Sequence, residues 1–192
     1  MDKIPGRQNA NRTGILFTVY DGYKSIKVLR QLKGFFVSIA LHNLTCIQQI
    51  PVSIDAAWSF FSSPGNLALI TPPEMMVTIT DGAGGESIFA GMIISYTLYP
   101  FMMIPVRWET EITNVSRPFS FEDRQKSGPY EYWHHRHFFR EIQGGVEMKD
   151  MLEYRLPMDI FGEVVNTLIV SRRLEEVFSY RRKRIGEILG RM

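Results

Sequence analysis

The pattern of hydrophobic and polar positions divides residues 38–192 into a strand with short helices, a run of strands, and one long helix. Ser38–Ile50 is rich in β-branched and apolar residues and stops at Pro51, which predicts the first strand. Ser53 then precedes apolar positions 54, 57, 58 and 61, the spacing of one helical face behind a serine cap. A second short helix is expected over Leu67–Ile70, before two prolines end it.

The middle of the chain shows the alternation and the turn residues typical of successive strands. Strands are predicted over Met75–Thr80, Ile88–Tyr99, Val106–Val115, Phe119–Gln125, Tyr130–Ile142 and Val146–Leu156. Glycine- and proline-containing segments separate them, and Asp81–Gly85 has the composition of a hairpin turn. Strands in series at this spacing predict a curved antiparallel meander.

The end of the chain changes to the helical period. Over Gly162–Leu189 apolar residues form one stripe and most of the other face is arginine, lysine and glutamate, which predicts a helix about 40 Å long. A strongly bent antiparallel sheet cannot be filled by its own side chains, so this helix should cover the open side. The sequence therefore predicts an α+β fold with a cavity between sheet and helix.

Composition and charge indicate one domain behind a basic segment. The chain has 192 residues and a single cysteine, Cys46, so no internal disulfide and no cysteine-built zinc site can form, and a reducing, cytoplasmic location is expected. Residues 1–36 hold seven basic and two acidic side chains, against 15 and 18 in the remainder. We therefore expect residues 1–37 to be an appendage, disordered or not translated, and residues 38–192 to be the domain.

Charge and hydropathy also exclude several classes of partner. The mildly acidic body lacks the basic face that nucleic acid requires, so no nucleic-acid partner is expected. No stretch approaches the roughly 20 apolar residues of a membrane span. A phosphate-binding glycine loop and a serine nucleophile elbow are absent from the sequence, and Cys46 lies in an apolar strand where an inert thiol is expected.

The predicted strand Tyr130–Ile142 places polar and aromatic residues together. Alternation puts Trp133, His135, His137 and Phe139 on one face, and we assign that face inward because the opposite one carries arginines. The same alternation turns inward Trp108, Phe121, Asp123, Gln125, Met148, Asp150, Leu152 and Tyr154. Buried polar groups are costly unless they pair, so an Asp–His pairing in the sheet interior is expected.

Four interpretations of these buried polar residues stay open. They form a core network, the polar floor of a ligand cavity, an acid–base pair, or a metal site. His-x-His with a nearby aspartate supplies zinc and iron ligand types, but no local motif marks a third ligand, and we expect neither a metal nor another cofactor. Arg181 interrupts the apolar stripe of the last helix and either reaches the rim or meets Asp123 or Asp150.

A family resemblance rests on motifs spread over most of the domain. They are Pro51-Val52-Ser53, Trp58-x-Phe60-Phe61-Ser62-x-Pro64-x-Asn66-Leu67, Ile70-Thr71-Pro72-Pro73, Ile104-Pro105-x-x-Trp108, Phe121-x-Asp123-x-Gln125, Gly128-Pro129-Tyr130-x-x-Trp133-x-His135-x-His137-x-Phe139, Met148-x-Asp150, Tyr154-x-Leu156-Pro157 and Phe178-x-Tyr180-Arg181. With them the chain resembles the SRPBCC superfamily, the START and birch-pollen-allergen-like helix-grip domains. Within it, the chain is similar to uncharacterised bacterial ligand-binding proteins labelled polyketide cyclase/dehydrase-like or cell-division-inhibitor-like.

The resemblance implies a sheet that grips the C-terminal helix around a hydrophobic cavity. The first expectation is binding of a small lipid or polyketide-like molecule without catalysis, with His135, His137, Asp123 and Asp150 orienting its polar group. The apolar wall would come from Trp108, Phe121, Trp133, Phe139 and Tyr154, with Gln125 and Arg181 as further contacts. Two alternatives are a cyclase/dehydrase-type enzyme using a His–Asp pair and an interaction module linked to cell division. No protein partner is identified by the sequence.

Overall fold

The structure is a computed structural model that describes residues 29–32, 35–38, 41–82, 87–101, 104–157 and 169–192. The strands are β1 (Leu29–Leu32), β2 (Phe35–Ser38), β3 (His42–Ile50), β4 (Thr78–Asp81), β5 (Ile93–Phe101), β6 (Ile104–Ser116), β7 (Ser120–Ser127), β8 (Tyr132–Ile142) and β9 (Gly145–Arg155). β1 and β2 form an antiparallel sheet of their own. The other seven form one antiparallel sheet in the order β3-β9-β8-β7-β6-β5-β4, which confirms the predicted meander.

The described helices are few and mostly short. The helix α1 (Ile54–Phe61) begins as predicted, because the Ala56 N–H donates to Ser53 Oγ at 3.2 Å and caps its first turn. Two 3₁₀ helices follow, over Pro64–Ile70 and Pro73–Met75. The C-terminal helix α2 spans Ser171–Ile188. In the described part of the chain no helix combines the length and the apolar character needed to cross a membrane.

Two strands begin later than the sequence predicted. The predicted Ser38–Ile50 strand is two strands, since β2 ends at Ser38 and β3 begins at His42 against a different partner, β9. The predicted Met75–Thr80 strand begins only at Thr78. Its first residue belongs to the 3₁₀ helix, and Met76 follows with a positive φ of 41°, a conformation that interrupts an extended chain.

The other boundaries within the described residues differ by a few residues, with one larger exception. β5 begins at Ile93 rather than Ile88, because the chain first makes a turn at Gly91, where φ is 89°. The described helix α2 has 18 residues, about 27 Å, and its end at Ile188 agrees with the prediction to within one residue. The predicted helical residues 162–168 and most of the Asp81–Gly85 turn lie outside the described residues.

The core lies between the two helices and one face of the large sheet, here called the inner face. Along β9 every second residue is buried, from Val146 to Tyr154, as the alternation predicted. At one end, Trp58 of α1 packs edge-on against Phe121 and Phe139. At the other end, the first half of α2 packs on β9 through Leu174 and Phe178. The inner face thus has an α1 end and an α2 end.

Candidate functional site

Four ionisable side chains meet near the centre of the inner face. Strand pairing determines this, because Asp123 of β7 lies opposite His135 of β8, and His137 of β8 lies opposite Asp150 of β9. His135, His137 and Asp150 are 5%, 8% and 4% exposed, and the Asp123 side chain is 14% exposed. The predicted Asp–His pairing is therefore present, and strands rather than loops hold it. We refer to these four residues as the His–Asp cluster.

Each imidazole of the cluster lies between the two carboxylates. Asp123 Oδ2 is 3.8 Å from His135 Nδ1 and 3.3 Å from His137 Nε2, the latter within hydrogen-bonding range. On the other side, Asp150 Oδ1 is 3.6 Å from His135 Nε2 and 2.6 Å from His137 Nδ1. The first of these two separations is too long for a hydrogen bond and the second lacks the geometry of one, so His135 Nε2, His137 Nδ1 and Asp150 Oδ1 are buried without a hydrogen-bond partner.

The cluster separates the pKa values of its members. Burial alone would lower the pKa of His137, but the carboxylates of Asp150 and Asp123 outweigh it and raise that pKa to about 9. Burial lowers the pKa of His135, and the neighbouring His137 adds to this against the two carboxylates. Burial would raise the pKa of Asp150, but the two imidazoles hold it well below its ordinary value. The structure therefore favours an imidazolium at His137 beside a neutral His135.

Aromatic rings surround the space between the cluster and the α2 end of the sheet. Trp108 and Trp133 meet edge-on with ring centroids 5.0 Å apart, and Tyr130 lies 5.4 Å from Trp108 and 4.8 Å from Trp133. The rings of Tyr96 and Tyr154 complete the group. We call these five residues the aromatic group. Trp108 Nε1 is buried there without a hydrogen-bond partner.

The expected ligand-sized cavity is not found between the described parts of sheet and helix. The space enclosed there amounts to about 10 Å³ and is lined by Cys46, Gln48, Met148, Asp150, Phe178, Arg181, Arg182 and Ile185. That is room for about one water molecule. In the part of the interior that the structure describes, the aromatic group and the α2 side chains Leu174, Val177 and Phe178 pack together, and the larger cavity stays a prediction.

Several residues predicted for the site lie elsewhere or have other partners. Gln125 holds the turn between β7 and β8, since its Nε2 donates to the Tyr130 carbonyl at 2.6 Å and its Oε1 accepts from the Tyr130 N–H. Phe139 packs against α1. Phe121 joins the two regions, because it contacts Trp58 and stacks on His137 at 4.1 Å.

Arg181 does not pair with either carboxylate of the His–Asp cluster. Its guanidinium carbon lies 5.3 Å from the centre of the Phe178 ring, and among the described residues no ion pair joins it to Asp123 or Asp150. Its Nε is buried without a hydrogen-bond partner, and the residue as a whole is half-buried. Arg181 therefore lies over an aromatic face beside the cluster.

Sequence reasoning missed three aromatic neighbours of the cluster and one buried histidine. Tyr96 stacks on Trp108 and its hydroxyl lies 3.1 Å from Thr110 Oγ1, but β5 is apolar on both faces and gave no alternation to place it. Tyr130 precedes β8, and Phe178 lies 5.6 Å from the ring of His135. His134 is on the opposite face, as predicted, yet it is 6% exposed because Glu122 and Glu153 flank it.

The fold defined by this sheet and helix is the helix-grip fold, and solved structures share it. Ms6760 from Mycobacterium smegmatis matches with a TM-score of 0.57 and 18% identity over 77% of this chain and 90% of that one. Ginseng (Panax ginseng) major latex-like protein 151 matches with a TM-score of 0.56 and 12% identity over 78% and 97%. Norcoclaurine synthase from Thalictrum flavum, in complex with dopamine and hydroxybenzaldehyde, matches with a TM-score of 0.54 and 17% identity over 78% and 89%.

These similarities establish the fold and leave the family undefined. No protein-family model matches the chain, and no curated protein matches its sequence. Ara h 8.0201, a further match at a TM-score of 0.53, is 14% identical. At such identities a shared fold carries no shared activity.

Proposed function

We propose that this protein binds a small molecule with an aromatic or apolar body between the large sheet and α2, without catalysis. The observation that carries the proposal is the aromatic group beside the His–Asp cluster. Trp108 and Trp133 offer large flat apolar surfaces, and His135 lies on the same face of the strand as Trp133. A ligand pocket combines such an apolar wall with a few convergent polar groups.

The polar end of the ligand would gain partners that the protein lacks. Trp108 Nε1 is buried without a hydrogen-bond partner. Leaving one such group unsatisfied costs roughly 1–3 kcal/mol, and a ligand hydroxyl or carbonyl would recover part of that cost. The ligand we propose therefore has an apolar ring system and at least one hydrogen-bonding group.

In our proposal α2 moves away from the sheet when the ligand binds, since the space beside Asp150 and Phe178 is only about 10 Å³ and holds no organic molecule. The helix α2 is suited to this movement, since only Leu174, Val177, Phe178, Ile185 and Gly186 are buried along its 18 residues. Most of its other residues are charged, and they are exposed or only partly buried. Elements with few buried contacts open at the lowest free-energy cost.

One structural neighbour supports this class of ligand. The norcoclaurine synthase structure from Thalictrum flavum contains dopamine and hydroxybenzaldehyde, two small aromatic molecules with polar substituents. Its helix-grip fold is that of the present chain, so the same architecture can accommodate ligands of this size. The identity of 17% transfers the fold only, and the ligand class is our proposal.

A matched pair of substitutions tests the proposal. The probe is the dye 1-anilinonaphthalene-8-sulfonate, followed by its fluorescence, with native mass spectrometry of the purified protein to detect co-purified organic molecules. Leu174→Trp adds bulk between α2 and the aromatic group, and we expect it to abolish dye binding. Ile188→Trp makes the same change at a position that is 39% exposed and should leave binding unchanged.

The result that contradicts binding is a protein free of organic molecules that also fails to bind the dye. Circular dichroism would check that the native chain and Leu174→Trp are both folded. If the two then bind the dye equally, the dye lies elsewhere and the proposed location is contradicted. Overpacking at Leu174 costs about 1–3 kcal/mol, which a folded domain of this size tolerates.

The geometry of the His–Asp cluster favours acid–base catalysis as a second candidate. Two imidazoles whose ring centroids are 4.0 Å apart each face two carboxylates, an arrangement that suits proton transfer. With the co-purified or dye-displacing compound as substrate, His135→Gln would then stop turnover while binding is retained. Unchanged turnover in that variant would dismiss the catalytic role.

A further inference from the structure

We propose that Asp123, His135 and His137 form a binding site for a divalent transition-metal ion. Each of the three offers one ligand atom, and these atoms lie within 4.8 Å of one another. All three side chains project from adjacent strands, β7 and β8, into the interior of the sheet. The sequence showed the His-x-His pair but no third ligand, and strand pairing supplies it by placing Asp123 opposite His135.

The proposed ligand atoms lie close to one another. Asp123 Oδ2 is 3.8 Å from His135 Nδ1 and 3.3 Å from His137 Nε2. Ligands at zinc distances of about 2.0–2.1 Å in a tetrahedral site are about 3.3 Å apart. The Asp–His separations are therefore close to those of a bound state, and binding would draw the most distant pair, which lies within 4.8 Å, together by at most about 1.5 Å.

Asp150 acts as the positioning residue for both imidazoles. If His135 Nδ1 and His137 Nε2 bind the ion, their N–H groups are on His135 Nε2 and His137 Nδ1, and both of these nitrogens face Asp150 Oδ1. A carboxylate that accepts the second N–H of a ligating histidine fixes its tautomer and ring orientation. One aspartate would do this for two ligands.

Burial and charge point to a cation at this site. His135, His137 and Asp150 are each more than nine-tenths buried, so an uncompensated charge among them is costly. Among the described residues no lysine or arginine makes an ion pair with Asp123 or Asp150. In the ligated state both imidazoles are neutral, so the four groups carry a net charge of −2, which a divalent ion would neutralise.

The donor set selects the class of metal. Two imidazole nitrogens with one carboxylate oxygen suit Zn²⁺, Co²⁺ and Fe²⁺, whereas Mg²⁺ and Ca²⁺ prefer oxygen donors throughout. Three protein ligands leave a fourth position for water or a ligand atom. Asp123, with 14% of its side chain exposed, is the most accessible of the three and lies where solvent reaches the site.

Metal titration of the tag-free, chelator-treated protein tests this inference without any organic ligand, so its outcome is independent of the proposed function. We expect one Co²⁺ per chain with visible d–d absorption, displacement of Co²⁺ by Zn²⁺, and a higher unfolding temperature with Zn²⁺. His135→Gln and His137→Gln should abolish binding. Asp150→Asn should weaken it by about 10- to 100-fold.

The matched control is His134→Gln, on the same strand. His134 is as buried as the ligands, but it points to the opposite face and lies 2.8 Å from Glu122 Oε2, so its loss should leave metal affinity unchanged. If a histidine variant fails to fold, Asp123→Asn removes a ligand at the most accessible position. Absence of stoichiometric binding in the folded protein overturns the inference. So does binding that survives the ligand substitutions, or that is equally lost in His134→Gln.

Discussion

At the scale of single residues, Asp150 shows how strongly the interior depends on paired charges. Its carboxylate is buried on the inner face, where Oδ1 contacts one nitrogen of each imidazole of the His–Asp cluster. A charge in such a position is stabilised mainly by its partners, because very little of it is exposed to water. Removing one partner of a buried pair leaves the others uncompensated.

We therefore expect Asp150→Ala to lower the free energy of unfolding of the metal-free protein by about 3 kcal/mol in urea. The control is Glu147→Ala on the same strand. Glu147 pairs with Arg140 at 2.7 Å, but the Arg140 side chain is 72% exposed, so this loss should be less than about 1 kcal/mol. Equal losses in the two variants would show that the His–Asp cluster contributes nothing beyond a surface pair.

Cys46 gives a prediction with a defined pH dependence. Burial, and next the Asp150 charge, raise the pKa of its thiol from 9.0 to about 11. A raised pKa makes the thiolate scarce at pH 8, so alkylation by iodoacetamide should be about 100-fold slower in the native than in the unfolded chain. The native rate should rise about tenfold per pH unit up to about pH 11. A native rate that levels off near pH 9 would contradict this, and the single cysteine makes the signal unambiguous.

The residues of the site could be predicted from the sequence wherever polar and apolar residues alternate regularly along a strand. His135, His137 and Asp150 lie on strands with one polar and one apolar face, and their burial and mutual contact follow from that pattern. Gln125 was placed on the correct strand, but its hydrogen bonds to Tyr130 depend on a turn conformation that the spacing does not reveal. The filling of the interior also escaped prediction, because it depends on side-chain packing across elements distant in sequence.

At the scale of elements, the register of β9 against β3 and β8 positions the cluster. Ile50 lies opposite Val146 at the start of this pairing, and a Cβ added at Gly145 would collide with the Ile50 carbonyl oxygen. The close approach of the two backbones therefore requires glycine there. A shift of β9 at Val146 would move Asp150, four residues further on, relative to the imidazoles of β8.

Gly145→Ala should destabilise the protein by about 1–3 kcal/mol, measured by urea unfolding, because backbone must move to admit the methyl group. The matched control is Gly65→Ala in the 3₁₀ helix, where the nearest atom to an added Cβ is 4.0 Å away and no loss is expected. Tolerance of both substitutions would contradict the tight β3–β9 contact.

Elements differed in how far the sequence determined them. The alternation of β9 predicted its burial residue by residue. β5 is apolar on both faces, so its start at Ile93 and the position of Tyr96 depended on a turn at Gly91 that no hydrophobic pattern marks. The apolar stripe of α2 was recognised, and its buried members Leu174, Val177, Phe178 and Ile185 agree with that prediction.

At the scale of the whole molecule, the two helices divide the inner face between a core and a candidate site. The α1 end is packed around Trp58, which is 2% exposed, and around Phe139. The α2 end holds the aromatic group and borders the His–Asp cluster. Stability therefore depends mainly on one end and ligand binding, in our account, on the other.

The most direct test of ligand binding between sheet and α2 uses the three tryptophans of the chain as reporters. Their indole N–H resonances are followed by nuclear magnetic resonance during titration with 1-anilinonaphthalene-8-sulfonate. We predict that the signals of Trp108 and Trp133 shift together while that of Trp58, in the α1 core, stays in place. If Trp108 and Trp133 stay fixed while the dye binds, or if Trp58 shifts equally, the proposed location of the ligand is wrong.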